Sequence, residues 1–375
     1  LATRVILCVM KWSIRIGRVF GIPLYIHLTF FLFLAWVGFA SWQMAGSGSA
    51  LEDMLLMCTL FACVVLHELG HALTARRYGI PTRDITLLPI GGVARLDRMP
   101  DDPKQEFLVA VAGPAVNVVI AGVLLVVARP PDFSFGSLFA DWFAGDDSFV
   151  GNIIRMNIIL VLFNILPAFP MDGGRVLRAL LATRLPYNRA THIAATVGQL
   201  MALLFGMIGL FYPPFRLLIL VALFVWIGAA QESGLVQMRH SLSGIPVSRA
   251  MVTEFHVLSP QNTMADAVEL TLKGTQRDFP VVDGERVAGV LRQSDMLAAL
   301  GRRGAHVLVG DVMQTDFQLV ESSEMLDAVY RRLAEHRATI APVSFQGRLV
   351  GLVTMDNIGE FLAIQGALGR PRRVF

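Results

Sequence analysis

Apolar residues gather in six runs over the first two thirds of the chain, near 22–42, 53–75, 107–128, 149–182, 193–212 and 215–232. Crossing about 30 Å of hydrocarbon takes roughly 20 helical residues, so the pattern predicts six transmembrane segments with both termini on one side. Lys11, Arg15 and Arg18 precede the first run. Arg76, Arg77, Arg83, Arg95, Arg98 and Lys104 fill the second connection, and Arg175, Arg178, Arg184 and Arg189 gather at the end of the fourth. Glu52, Asp53, Asp132, Asp141, Asp146 and Asp147 mark the opposite side. The positive-inside rule makes the basic faces cytoplasmic, which places both termini there. Pro167 and Pro170 interrupt the fourth run and Gly173-Gly174 follow, so a helix cannot continue normally. Broken backbone at membrane depth is tolerated only where protein or a cavity covers it. A site is expected at that break.

Beyond about residue 240 the pattern becomes an ordinary mixture of polar and apolar positions, and it repeats. "VSRAM" at 247–251 answers "VGDVM" at 309–313, and "FPVVDGERVAGV" answers "APVSFQGRLVGL"; Met251 and Met313, Pro280 and Pro342, and Gly289 and Gly351 share one offset. Each unit reads as a helix near 264–273 or 325–336, two short strands joined at Asp283-Gly284 or Gln346-Gly347, then another helix. One such unit cannot bury its own apolar face, so the two are expected to pack together. The domains expected are therefore 1–240, 241–305 and 306–375.

Composition agrees with a membrane protein. Of 375 residues, 54% are hydrophobic and 16% charged, and the mean hydropathy is +0.58. A net charge of +3, scattered at the edges of apolar runs, gives no footprint for nucleic acid. Cys8, Cys58 and Cys63 form neither a disulfide framework nor a paired metal spacing, which fits the reducing side of a membrane. The first apolar run is long and lacks a cleavage signal, so it reads as a retained span.

The chemistry lies in "VVLHELGHAL", residues 64–73. His67 and His71, four apart on a helix, share one face and can bind one metal ion, and Glu68 lies close enough to take a proton from an attacking water. By the rise of a helix the pair sits roughly 6–12 Å inside the cytoplasmic end. Mutual satisfaction of these polar groups within a helix bundle is the competing reading, and the cost of ionisable groups at this depth disfavours it. A catalytic zinc site typically takes a third protein ligand and keeps one position open. Asp172, beyond the proline break, is the best candidate, with a helix N-cap as its alternative role. Asn117 and Asn164 are candidate donors to a developing oxyanion, with helix–helix hydrogen bonding as the alternative for each. His27 reads as a packing histidine.

"HELGH", "AGPAVN" and "NILPAFPMDGG" together resemble the site-2 protease family of intramembrane zinc metalloproteases, in the subgroup with a C-terminal pair of CBS modules. The resemblance runs from "GIPLYIHLTF" to the last repeat. It implies that His67, His71 and Asp172 bind one Zn2+ and that Glu68 is the general base. It further implies that "LLPIGGVARL", residues 87–96, is a membrane-associated β-hairpin whose Gly91-Gly92 edge pairs with an unwound substrate; without the family it is a Gly-rich turn between two apolar strands. Family members often carry Leu where Met171 stands. The fold implied is a polytopic α-helical membrane domain followed by an α+β tandem CBS module. The substrate implied is a single-span membrane protein, such as an anti-sigma factor or a remnant peptide.

CBS modules hold adenine nucleotides in a pattern like G-h-h-T-x-x-D. "GVLRQSD" supplies Asp295 but has Arg292 in the hydroxyl position, and "GLVTMDN" supplies Thr354 but has Asn357 in the acidic one. Regulation by nucleotide is thus set beside regulation without a ligand, through homodimerisation or by contact with the substrate's cytoplasmic domain. A CBS-regulated transporter or channel and an inactive substrate-binding relative are the rival functions. A transporter would stage polar residues across both leaflets, whereas here they cluster on one side, and the intact His67, Glu68, His71 and Asp172 argue against inactivity.

Overall fold

The computed structural model describes residues 12–89, 91–97, 100, 102–128, 148–336 and 338–368. Cys8 and, from the charge pattern above, Lys11, Arg98, Asp132, Asp141, Asp146 and Asp147 lie outside the described residues. The chain divides into two compact units, Leu1–Gly234 and Leu235–Phe375.

The first unit begins with a sheet. Strands β1 (Ser13–Val19) and β2 (Ile22–His27) form an antiparallel hairpin, turning through Phe20 and Gly21, both in the left-handed region. The segment 22–27, expected as the start of the first span, is therefore a strand. Its reason is long-range: β2 pairs in parallel with β3 (Thr82–Leu88), which pairs antiparallel with β4 (Gly91–Leu96), in the order β1-β2-β3-β4. Ile22, Leu24 and Ile85 then bury against Leu69 and Ala72. Helix α1 (Leu28–Ala45) starts only after His27, whose Nδ1 caps it by accepting from the Thr29 amide at 3.3 Å.

Helix α2 (Ser47–Arg77) packs against α1, β4, α3 (Pro103–Ala128) and α4 (Phe149–Asn164). The fourth apolar run divides at its prolines into α4 and α5 (Asp172–Ala182), as expected. Helices α6 (Tyr187–Phe211) and α7 (Leu217–Leu242) complete the unit, the latter running on past Gly234. Among the described residues four helices are long and apolar enough to cross a membrane, with Leu28–Met44 and Phe149–Asn164 as shorter apolar helices. Their outward faces remain apolar, as at Val119, Val126, Leu200, Leu204 and Leu223, which in water would be a large unsatisfied patch. Small residues allow the helices to meet: a Cβ on Gly70 would stand 2.8 Å from the Ala112 carbonyl oxygen.

In the second unit, α8 (Met264–Lys273), β5 (Phe279–Asp283), β6 (Arg286–Leu291) and α9 (Gln293–Arg303) form one repeat. Strands β7 (Val320–Glu321), β8 (Ile340–Phe345) and β9 (Arg348–Thr354), with α10 (Leu326–His336) and α11 (Met355–Leu368), form the other. Each has its own core, centred on Phe279 and Leu291 in the first and on Val343 and Val353 in the second. The repeats exchange backbone pairs in equivalent positions: Val252 bridges to Leu352, and Gln314 to Val290. The mutual burial expected from the repeat is thus reinforced by hydrogen bonds in both directions.

Candidate metal centre

One turn of α2 brings His67 and His71 onto the same face, with their rings edge to face and their Nε2 atoms 3.1 Å apart. Asp172 faces them from the first position of α5. Its Oδ2 lies 3.2 Å from His67 Nε2 and 3.0 Å from His71 Nε2. Among the described residues this trio forms a group able to hold a metal, and all three are buried. The N-cap alternative for Asp172 fails, because Met171 occupies the cap position and the carboxylate turns toward the histidines. The break ahead of α5 sets that position. A Cβ on Gly173 would stand 2.3 Å from the Ile165 and Leu166 carbonyl oxygens, and one on Gly174 2.6 Å from the Phe169 nitrogen; glycine alone lets the loop fold back this tightly.

The far sides of both rings are engaged. His71 Nδ1 donates to the Val109 carbonyl at 2.7 Å, and His67 Nδ1 meets Asn117 Oδ1 at 2.5 Å. A Cβ on Gly113 would lie 2.2 Å from His71 Nε2 and 2.6 Å from His67 Nε2, so α3 presents bare backbone where the two nitrogens converge. Two imidazole nitrogens and one carboxylate oxygen at mutual distances near 3 Å, in a space a methyl group would fill, suit a small cation and match the N and O donor set of zinc.

Glu68 lies beside the trio. Its Oε2 accepts from the Ala94 amide on β4 at 3.2 Å, and Gly92 allows the approach, since a Cβ there would come within 2.8 Å of Glu68 Cγ. A cavity of about 550 Å³ joins these parts; His67, Glu68, His71, Asp172, Gly91, Gly92 and Asn164 all line it. Among the described residues strand β4 is the last in its sheet, and its residues Gly91–Ala94 border the cavity. Asn164 is among the residues that line the cavity. Asn117 is not: it is fully buried behind His67, with its Nδ2 donating to Asn157 Oδ1 at 2.7 Å. Fully buried and away from the cavity lining, it cannot reach a substrate carbonyl there, and the oxyanion expectation for Asn117 is corrected accordingly.

Sequence reasoning missed three groups. Asn157 stands in an apolar helix and is fully buried, a signal of the same kind that singled out Asn117 and Asn164. Arg178, counted among the orienting basic residues, is instead wholly buried: its Nε donates to Glu106 at 2.7 Å, its Nη1 pairs with Glu232, and its guanidinium lies over the rings of Phe169 and Tyr187. Asp84 is buried on β3 and paired with Arg95 across the hairpin. No local pattern announces such pairs.

In the second unit a cavity of about 380 Å³ lies between the repeats, lined by Arg292, Gln314, Asp316 and His336 among others. Neither nucleotide candidate lines it. Asp295 accepts from Gln314 Nε2 at 2.8 Å, and Thr354 Oγ1 donates to Asn357 Oδ1 at 2.5 Å.

Comparison with known proteins covers both units. The family model described as peptidase family M50 matches residues 55–137 and 140–205, and that of the CBS domain matches 238–302 and 309–363. A zinc metalloprotease of Methanocaldococcus jannaschii is 31% identical over 355 residues, covering 95% of this chain and 97% of the relative. A CBS domain-containing protein of Bacillus subtilis is 27% identical over 115 residues, 30% of this chain and 81% of the relative. Among solved structures, the site-2 protease from Methanocaldococcus jannaschii is 41% identical and covers 59% of this chain and 95% of its own, with a TM-score of 0.44.

Proposed function

This chain belongs to peptidase family M50, the site-2 protease family, and ends in a CBS domain pair, and from that premise we propose that it cleaves single-span membrane proteins within or beside their transmembrane segments. As a member of that family it is a zinc metalloendopeptidase. The observation that carries the reading is the convergence of His67 Nε2, His71 Nε2 and Asp172 Oδ2 beside Glu68, in a cavity that also borders the β4 edge.

His67, His71 and Asp172 would hold the zinc, which when bound supplies Lewis acidity to the scissile carbonyl and to the attacking water. Glu68 takes the water proton and returns it to the leaving amine. A peptide bond inside a helix is protected by its own hydrogen bonds and by the absence of water. The cavity supports water entry among otherwise apolar helices. The β4 edge, where Gly91 and Gly92 carry no side chains of their own, supports strand addition, in which main-chain bonds replace those of the unwound substrate helix. Asn164 is the remaining candidate donor to the oxyanion.

The Glu68→Gln variant keeps the shape of the base and removes its function. Cleavage should fall by about 10²- to 10⁴-fold while zinc content stays at one per chain. Membrane proteomes of cells carrying wild type or E68Q are to be compared, with zinc measured on both proteins. Accumulation of a few single-span proteins or truncated remnants is expected in E68Q, and hydrolysis at the wild-type rate would refute the role of Glu68. For the CBS pair we propose regulation. The same cleavage assay run with and without ATP or AMP tests the nucleotide form of it, and an unchanged rate leaves dimerisation to be measured by sedimentation.

A further inference from the structure

We infer that Asn157, a residue touching neither the metal-ligating atoms nor the cavity, sets the tautomer of His67 through Asn117 and thereby sets zinc affinity. The inference rests on the zinc-site reading above.

Each hydrogen bond in the chain of contacts behind His67 has one possible direction. Asn157 lies on α4 with its Nδ2 2.9 Å from the Ile153 carbonyl oxygen and 3.5 Å from Cys63 Sγ. A backbone carbonyl only accepts, so the atom against it must be the amide NH2. That leaves Asn157 Oδ1 as the acceptor facing Asn117, at 2.7 Å from Asn117 Nδ2. Asn117, on α3, therefore turns its own Oδ1 to His67 Nδ1, at 2.5 Å. An amide oxygen also only accepts, so His67 must carry its proton on Nδ1. Its Nε2 then holds a lone pair, aimed at the meeting point with Asp172 and His71.

The orientation of two amides is ordinarily ambiguous, but here one backbone carbonyl anchors the chain. Flipping Asn117 alone would oppose two oxygens at Asn157 and set NH2 against His67 Nδ1. Flipping both would oppose Asn157 Oδ1 to the Ile153 carbonyl oxygen. Asn117 and Asn157 are fully buried, so water does not screen such a mismatch, and a buried polar atom facing its like is costly. His71 reaches the same state directly, through the Val109 carbonyl. The two ligand histidines are thus held as the same tautomer, one by a backbone carbonyl and the other by a two-amide relay that begins on a backbone carbonyl of α4. Removing an outer partner of a metal-ligating histidine commonly costs 10- to 100-fold in metal affinity.

The test uses the full chain in detergent, with zinc affinity measured by competition against a chelator and the His67 ring state read by 15N NMR of the metal-free protein. Asn157→Leu and Asn117→Leu should each weaken zinc binding by about 10- to 100-fold and move the His67 ring from Nδ1–H alone to a mixture of tautomers. Cys63→Ala, which alters packing beside Asn157 without breaking the relay, should stay close to wild type. If N157L fails to fold, N117L and C63A carry the comparison. Wild-type affinity in folded N157L or N117L overturns the inference, and so does an equal loss in C63A, which would make the effect one of packing. A wild-type protein that takes up no zinc overturns the zinc-site reading itself, a result distinguishable from failure of the relay alone.

Discussion

Gly113 shows how much one missing methyl decides. It stands on α3 where a Cβ would come within 2.2 Å of His71 Nε2 and 2.6 Å of His67 Nε2, both ring nitrogens being inner faces of a buried trio. Gly113→Ala should therefore lose zinc and, with it, cleavage, at a stability cost of about 1–3 kcal/mol for overpacking. Zinc content and thermal unfolding measured together check this; wild-type zinc content in folded G113A would contradict it. His67, Glu68 and His71 were legible because the helical period alone puts i and i+4 on one face. Asp172 was legible from chemistry, since a catalytic site of two histidines wants a third ligand and the proline break offered one. Asn117 was legible as a costly buried polar group but not in its role. Which way an amide turns depends on Asn157, forty positions along the chain and on a different helix.

At the scale of elements, α5 is the piece that must be held still, because it carries Asp172 at its first position. Arg178, two turns further on, ties it to Glu106 on α3 and Glu232 on α7. Both Arg178 and Glu106 are almost wholly buried, and removing one partner of such a pair costs about 3–5 kcal/mol because the other charge stays buried alone. Arg178→Met is expected to lose stability of that order, and the double variant with Glu106→Gln to lose less. Thermal unfolding of both decides it; equal losses would mean that the pair is not the cause. The sequence placed Arg178 among the residues that orient a membrane protein, since charge at the end of an apolar run carries that meaning by default. Strand β2 was misread for a related reason. "IPLYIH" is as apolar as the helix that follows, and hydropathy does not record that its backbone pairs with β3 some sixty residues later.

Across the whole molecule, the alternation of charge between apolar runs predicts a topology in which the protease site opens toward the cytoplasm, and we propose that orientation. Lys104 lies in the first turn of α3 on the proposed cytoplasmic side, and Glu52 lies near the start of α2 on the other; both are exposed. In intact cells, an impermeant thiol reagent added from outside should label Glu52→Cys in a cysteine-free background and spare Lys104→Cys until the membrane is opened. The reverse pattern would invert the proposed orientation.

Sequence alone determined what periodicity and composition carry: the apolar helices, the break in the fourth run, the repeat of the second unit, and the residue types able to bind a metal and move a proton. These properties are local or additive along the chain. Tertiary structure alone decided which polar atoms face each other: Asp172 toward both histidines, the Ala94 amide toward Glu68, residues Gly91–Ala94 of β4 toward the cavity, and the amide chain from Ile153 to His67. Each is a contact between helices or strands distant in sequence, and hydrogen bonds have a direction that only the arrangement of donor and acceptor in space can set.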